Sequence, residues 1–357
     1  MTDQKRIYLD YAATTPLLDV AKKATLEGFE QWANPSSPHA DGRSAQSMLE
    51  NARSRFRSAL DWDGDVIFTS GASEAISIAL NHSKPDNQYV SPVEHDVVLR
   101  SATSAKRLPV DMNGMVTPTN LNHVLKSAEG RALVVVQSVN NETGVMQDLA
   151  ALGKVCRDRG AALLADCAQS AGKMPLPDAD MIVIAGHKFG GPPGVGALLV
   201  KDLKLLNPAG GQEQGYRTGT ENLPYIMAMT AALEAPKTWA GRATELRQHL
   251  DDAIKKEGGS VVAENAPRIA TIASYHMPGV AANTQLIRFD MAGFSVSAGS
   301  ACSSGTLKTS HVLEAMGMDE SISKEVIRVS IGRDTSRSQI YAFVEQWKSI
   351  FNQARRT

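Results

Sequence analysis

Cysteine is scarce: only Cys156, Cys167 and Cys302 occur in 357 residues. They are odd in number, far apart, and form no C-x-x-C pair. That excludes a disulfide scaffold, offers no zinc-ligand spacing, and suits a reducing cytoplasm. Excess charge of one sign is also missing, with 37 Lys+Arg against 38 Asp+Glu and a net charge of -1. A chain without a basic surplus shows no electrostatic footprint for nucleic acid or an anionic membrane. No apolar run approaches the roughly 20 residues that span a bilayer. The first ten residues carry Asp3, Lys5, Arg6 and Asp10 and do not read as a signal peptide. Repeats and low-complexity tracts are absent. What remains is 43% apolar and 21% charged, the composition of a globular chain, long enough for about two domains.

Short runs rich in Val, Ile and Leu alternate with helical patterns. The predicted strands are Val66–Phe68, Gln88–Val90, Leu133–Val136, Ala162–Ala165, Met181–Ile184 and Gly196–Val200. Helices are predicted over Arg43–Leu60, Ser73–Leu80 and Leu149–Arg159 between them, and over Ala240–Lys256 and Ser338–Phe351 beyond. Continuous apolar strands separated by helices imply an α/β fold with a mostly parallel, doubly wound sheet, which binds ligands at the carboxyl ends of its strands. In the Ala240–Lys256 helix, Leu246, Leu250 and Ile254 share one face, and Gly258-Gly259 stops it.

The residues with chemical potential follow the predicted strands. Ser70-Gly-Ala-Ser-Glu74 turns a strand into a helix whose N-terminus could hold a phosphate, although Ser73 could equally be an ordinary cap. Asp166 ends an apolar strand, where a carboxylate needs a cation, such as a protonated ring nitrogen, or an amide to cap. Lys188, among the glycines of Ala185-Gly-His-Lys-Phe-Gly-Gly191, could serve as a Schiff-base amine if its pKa is lowered, or could be a solvated loop lysine. Each reading is weak singly. Together, a phosphate cradle, a ring-nitrogen partner and an amine describe a pyridoxal phosphate site. His95 could stack on a planar cofactor or shuttle a proton. Cys302 lies in the small, polar stretch Ser297-Ala-Gly-Ser-Ala-Cys-Ser-Ser-Gly305, which favours an exposed, reactive thiol, whereas Cys156 and Cys167 read as packing residues.

At this point the chain resembles the cysteine desulfurases of the class V aminotransferase superfamily, fold type I pyridoxal phosphate enzymes. The likeness runs from Tyr8-Leu-Asp-Tyr-Ala-Ala-Thr-Thr-Pro16 to Ile327-Arg-Val-Ser-Ile-Gly-Arg333. It is carried by Asn34-Pro-Ser-Ser-Pro-His39, Ser70–Glu74, Val139-Asn-Asn-Glu-Thr-Gly144, Gly186-His-Lys188, Arg217-Thr-Gly-Thr-Glu-Asn222 and Gly299-Ser-Ala-Cys302. The resemblance implies a large cofactor-binding domain over 17–235 and a smaller α+β domain formed by 1–16 with 236–357, the latter carrying the Cys302 loop. It implies that Lys188 holds pyridoxal 5'-phosphate, Asp166 pairs with the ring nitrogen, and His95 stacks and assists proton transfer. Asn141 and Gln169 would contact the ring hydroxyl. Ser73, Ala72 and His187 would bind the phosphate, with Thr220 reaching across from a second subunit of a homodimer with shared active sites. Arg328 and Asn34 would hold the carboxylate of L-cysteine. Cys302, as thiolate, would attack the substrate sulfur and become a persulfide as alanine leaves, passing sulfur to an acceptor protein in iron-sulfur, thio-cofactor or tRNA thiolation pathways.

Two departures stand out. Ala185 occupies a position where relatives have a serine that donates to the phosphate, and Gln214 one where they often have arginine. The competing readings are an aminotransferase or selenocysteine-preferring lyase on the same fold, or a non-catalytic assembly subunit. Cys302 argues against transamination, which needs no thiol there, and the retained Lys188, Asp166 and His95 argue against an inactive subunit.

Overall fold

A computed structural model describes residues 6–30, 32–299 and 309–355. In chain order it opens with strand β1 (Ile7–Tyr8) and helices α1 (Asp19–Glu30) and α2 (Ala40–Leu60). There follow β2 (Asp65–Thr69), α3 (Ala72–Asn81), β3 (Asn87–Val90), α4 (Asp96–Ser101), β4 (Lys106–Arg107), α5 (Pro118–Lys126), β5 (Ala132–Gln137) and α6 (Leu149–Asp158). Next come β6 (Ala162–Asp166), β7 (Met181–Ala185), β8 (Gly196–Val200), α7 (Leu223–Glu234) and α8 (Ala240–Lys256). The remainder holds β9 (Ser260–Val261), β10 (Ile272–His276), α9 (Ala282–Met291), β11 (Phe294–Ser295), α10 (His311–Ala315), α11 (Glu320–Ser323), β12 (Val326–Ser330) and α12 (Arg337–Ala354).

The main sheet has the order β2-β8-β7-β6-β5-β3-β4. Its pairings are parallel except for those of β8, which runs antiparallel to both β2 and β7. Side chains alternate between two cores. Val66, Phe68, Val134 and Val136 face a core shared with α2, α5, α6 and α7, whereas Ile67, Leu133 and Val135 face α3 and α4. This is the doubly wound arrangement that the unbroken apolar strands predict, because each strand is covered on both faces. The strand order places the ends of β2, β3, β5, β6 and β7 along one edge, and every candidate cofactor residue but Thr220 follows one of them.

A separate core gathers Leu246, Leu250 and Ile254 of α8, Tyr275 of β10, Phe289 of α9, and Phe343 and Trp347 of α12. It backs the antiparallel sheet β12-β10-β9. The N-terminal strand belongs with this part: β1 pairs with β11, and Leu9 lies in the same core. Sequence pattern alone left that placement open, because a two-residue strand has no periodicity to read.

Candidate active site

A cavity of about 350 Å³ opens at the carboxyl ends of these strands, within the size range of small-molecule sites. It is lined by Ser73, His95, Asn141, Asp166, Gln169 and Lys188, among others. These positions are scattered over more than a hundred residues of chain and meet only because parallel strands end on one edge.

Lys188 sits in a short 3-10 turn, Gly186–Lys188, directly after β7. Its Nζ donates to the carbonyls of Ala12 (2.6 Å) and Ala13 (2.9 Å). Burial, reinforced by the Arg328 charge, pulls its pKa from 10.5 down to about 8, against the opposing pull of Asp166 and Asp10. An amine so placed carries a neutral, nucleophilic fraction near neutral pH that a solvated lysine lacks. A second lysine, Lys173, shares a narrow cavity behind Lys188 and is pushed down to about 7 by burial and by Lys188 itself. No local pattern marks Lys173 in the sequence.

Asp166 closes β6 and is buried, with Oδ1 accepting the amide of Ala168 at 2.8 Å. Burial raises its pKa, while His95 and Lys188 pull the other way. A carboxylate in that position gains most from a cation brought into the cavity. His95 caps α4: its Nδ1 accepts the amide of Val97 at 3.3 Å, which assigns the ring proton to Nε2 in the neutral form. Burial lowers the His95 pKa, so the neutral form prevails at pH 7.

The turn before α3 is built for an anion. Gly71 has φ 149° and ψ 176°, a conformation essentially restricted to glycine, and provides no side-chain cap. The first amides of α3 therefore face the cavity beside Ala72 and Ser73 with their donors free of a side-chain cap. His187 joins the lining, and its Nδ1 lies 3.2 Å from Thr14 Oγ1. Burial, with Lys188 and Lys173, lowers its pKa to about 4. Gln169 donates from Nε2 to the Ala12 carbonyl (2.9 Å), whereas its buried Oε1 has no partner among the described residues.

The donor set fits pyridoxal 5'-phosphate on the structure's own terms. Free helix amides suit its phosphate and the buried Asp166 suits a ring cation. The orphaned Gln169 oxygen suits a ring hydroxyl, and the depressed Lys188 amine suits its aldehyde.

Arg328, on β12, is buried beside Asn141 and is not itself among the lining residues of the cavity. Its Nη2 pairs with Asp10 at 2.9 Å and its Nη1 donates to the Asn141 carbonyl at 3.0 Å, while Nε has no partner among the described residues. Asp10 was not singled out in the sequence, where nothing local pairs it with a residue 318 positions away. Two expected residues stand apart from the cavity. Asn34 is exposed and its Oδ1 accepts the amide of Ser36 at 2.9 Å; Thr220 is exposed on a loop before α7. Cys302 lies outside the described residues. Cys156 and Cys167 are both buried, and burial pushes each thiol up to about 12, as packing residues should behave.

The aminotransferase class-V family model matches residues 7–343. A relative named cysteine desulfurase IscS, from Dictyoglomus turgidum, is 31% identical over 99% of this chain and 96% of its own. The Homo sapiens protein named cysteine desulfurase is 32% identical over 95% of this chain and 80% of its own. The solved structure of a NifS-like protein from Rickettsia africae matches with a TM-score of 0.89 at 28% identity, covering 97% of this chain and 99% of that one.

Proposed function

The chain belongs to the aminotransferase class-V family and is a pyridoxal-phosphate-dependent cysteine desulfurase of fold type I, and on that premise we propose how its residues divide the work. Bound pyridoxal phosphate supplies an electron sink for the carbon skeleton of L-cysteine. Lys188 would hold the cofactor through its amine, and its free amine would take the Cα proton of the substrate; burial, which lowers its pKa to about 8, supports that role. Asp166 holds the ring nitrogen protonated. His95 would face the ring of the bound cofactor with its Nε2 proton available, and Asn141 and Gln169 would hold the ring hydroxyl. Ser73, Ala72 and His187 seat the phosphate, completed by Thr220 of a second subunit. Arg328 turns its guanidinium from Asp10 to the substrate carboxylate, a charge-assisted pair of the same geometry, and Asn34 joins it.

The thiolate of Cys302 then attacks the substrate sulfur. A sulfur–sulfur bond forms as the Cβ–S bond breaks, the bonding pair stays with Cβ, and a proton delivered there completes alanine. The net change is cysteine plus a thiol to alanine plus a persulfide, with no external oxidant. The persulfide passes to an acceptor protein; iron-sulfur assembly fits the names of the relatives. Among the described residues no helix is long and apolar enough to cross a membrane.

The convergence of Lys188, Asp166 and the open N-terminus of α3 on one cavity carries this reading. The assay is alanine and sulfide release from L-cysteine with a reductant present. Lys188→Ala should lose the long-wavelength absorption of the loaded protein. Cys302→Ser should keep that absorption and bind cysteine yet transfer no sulfur. Absence of sulfide, with keto acid formed on adding an amino acceptor, would reverse the assignment.

A further inference from the structure

Behind Lys188 lies a second, narrower space, a cavity of about 30 Å³ that shares Lys188 with the cofactor cavity and none of its other lining residues. Four cations line it, Lys173, Lys188, Lys237 and Arg333, and no aspartate or glutamate does so among the described residues. The amines of Lys173 and Lys237 and the guanidinium of Arg333 make no hydrogen bond or ion pair among the described residues. Thr271 lines the same space. It is 5% exposed, its carbonyl accepts the Ile331 amide at 2.9 Å, and its Oγ1 has no partner among the described residues. The nearby acids are engaged elsewhere. Asp10 pairs with Arg328 at 2.9 Å, and Asp178 pairs with Arg157 at 2.8 Å and with Lys201. Asp166 acts on Lys188 from the cofactor cavity, and Asp334, next to Arg333 in the chain, is exposed and acts on Tyr11.

The cavity sits where the two cores meet. Phe189 and Ala232 belong to the core of the main sheet, Ile331 to the core of α8, α9 and α12, and Lys237 to the link between α7 and α8. A cleft lined by charge of one sign, with low-dielectric walls, concentrates a counterion. Lys173 shows what happens without one: half-buried and beside Lys188, its charged form is disfavoured. The Thr271 hydroxyl has a donor to spare, and a buried polar group without a partner calls for one. Size narrows the choice. A space this small takes one or two water-sized groups, which admits a halide and excludes a phosphate ester. There is also a route from solvent. A larger cavity of about 550 Å³, bordered by the exposed Asp61 and Asp63, shares Gly172, Lys173 and Lys237 with the narrow one.

We propose that this cavity is a binding site for a halide-sized monovalent anion such as chloride, held by Lys173, Arg333 and the Thr271 hydroxyl. The anion supplies the countercharge that Lys173 lacks and ties the two cores together behind Lys188.

The test uses the holoenzyme, purified free of halide, and bromide as the probe. Thermal melts compare sodium bromide with sodium gluconate at equal ionic strength, gluconate being too large to enter. Bromide at 200 mM should raise the wild-type Tm by about 2 °C, because a ligand that binds only the folded state stabilises it. Lys173→Met keeps the stem and loses the charge, and its bromide gain should fall below about 0.5 °C. Arg333→Gln should lose most of the gain, and Thr271→Val, which keeps the shape and loses the hydroxyl, about half of it. Crystals soaked in bromide should show an anomalous peak in the cavity, absent from Lys173→Met. Should Lys173→Met fail to fold, Arg333→Gln and Thr271→Val decide the matter. Equal bromide gains in wild type and variants would overturn the proposal. So would a wild-type cavity with no bromide peak, which means that water fills it, or a peak that persists in Lys173→Met, which marks an adventitious ion only. Neither readout involves sulfur release, so a failure here is separate from any failure of the desulfurase assay.

Discussion

Two side chains, one behind the cavity wall and one lining it, show how single residues set its properties. Glu94 is fully buried beside His95, with Oε1 accepting the Gln137 amide at 2.7 Å and Oε2 without a partner among the described residues. Burial, and then the nearby Asp166, push its pKa well above the ordinary range. The folded protein therefore favours the neutral acid. That contributes stability which is fully present below the unfolded pKa and is lost as pH rises toward the folded one. Glu94→Gln mimics the neutral acid and does not titrate. It should raise Tm by about 2–4 °C at pH 8, shrinking toward zero at pH 5, by thermal melts of the two proteins. A gain that grew toward low pH would contradict this. Ala185 ends β7, buried and lining the cavity close to His187. Ala185→Ser adds a hydroxyl donor, and one charge-assisted bond should tighten the Kd for pyridoxal phosphate about fivefold; a direct titration showing no tightening counts against it. Lys188 and Asp166 were legible in the sequence because each follows an apolar strand. Asp10, Glu94 and Glu142 were not, since their partners lie far along the chain and a buried carboxylate is recognised only through what surrounds it.

The elements read from the sequence were legible nearly to their ends, whereas α1, α5, α7, α9, β10 and β12 were not read from it although each has five residues or more. The predicted helix Ala240–Lys256 coincides with α8, and the predicted strands fall within β2, β3, β5, β6, β7 and β8. The two-residue strands β1, β4, β9 and β11 left no signal, as pairing rather than pattern defines them. Helix α8 also does something its amphipathic pattern hides. Asp251, on its inner side, accepts from Arg247 (2.6 Å), Arg268 (3.1 Å) and the Tyr275 hydroxyl (2.6 Å). Arg268 in turn forms a backbone bridge with Val145, next to the turn that bears Asn141 and Glu142. The carboxylate thus links the second core to the cofactor turn. Asp251→Ala leaves two guanidinium groups buried without their counterion and should cost about 3–5 kcal/mol, seen as a fall in Tm and urea midpoint. A loss under about 1 kcal/mol, the range of exposed pairs, would show that solvent reaches them.

At the scale of the whole molecule the open question is what covers α1. Ala21, Ala24 and Gly28 are buried, yet Val20, Leu26 and Phe29 are 49%, 59% and 57% exposed, and Trp32 beyond the helix is 86% exposed. A helix that is apolar beyond its packed face is normally covered by something, and clustered exposed apolar side chains mark an interaction surface. Thr220, assigned to the phosphate, is exposed and absent from the lining of its own chain's cavity. A second copy of the chain would answer both observations at once, by burying the α1 surface and bringing its Thr220 to the neighbouring cofactor. The protein should therefore sediment at twice its chain mass. Phe29→Glu/Trp32→Glu places carboxylates at the centre of the proposed contact and should sediment as a single chain. Thr220→Ala should remain paired but lose cofactor faster on dilution. If the split variant loses cofactor no faster than the parent, each cavity is complete within one chain, and the exposed helix serves another partner.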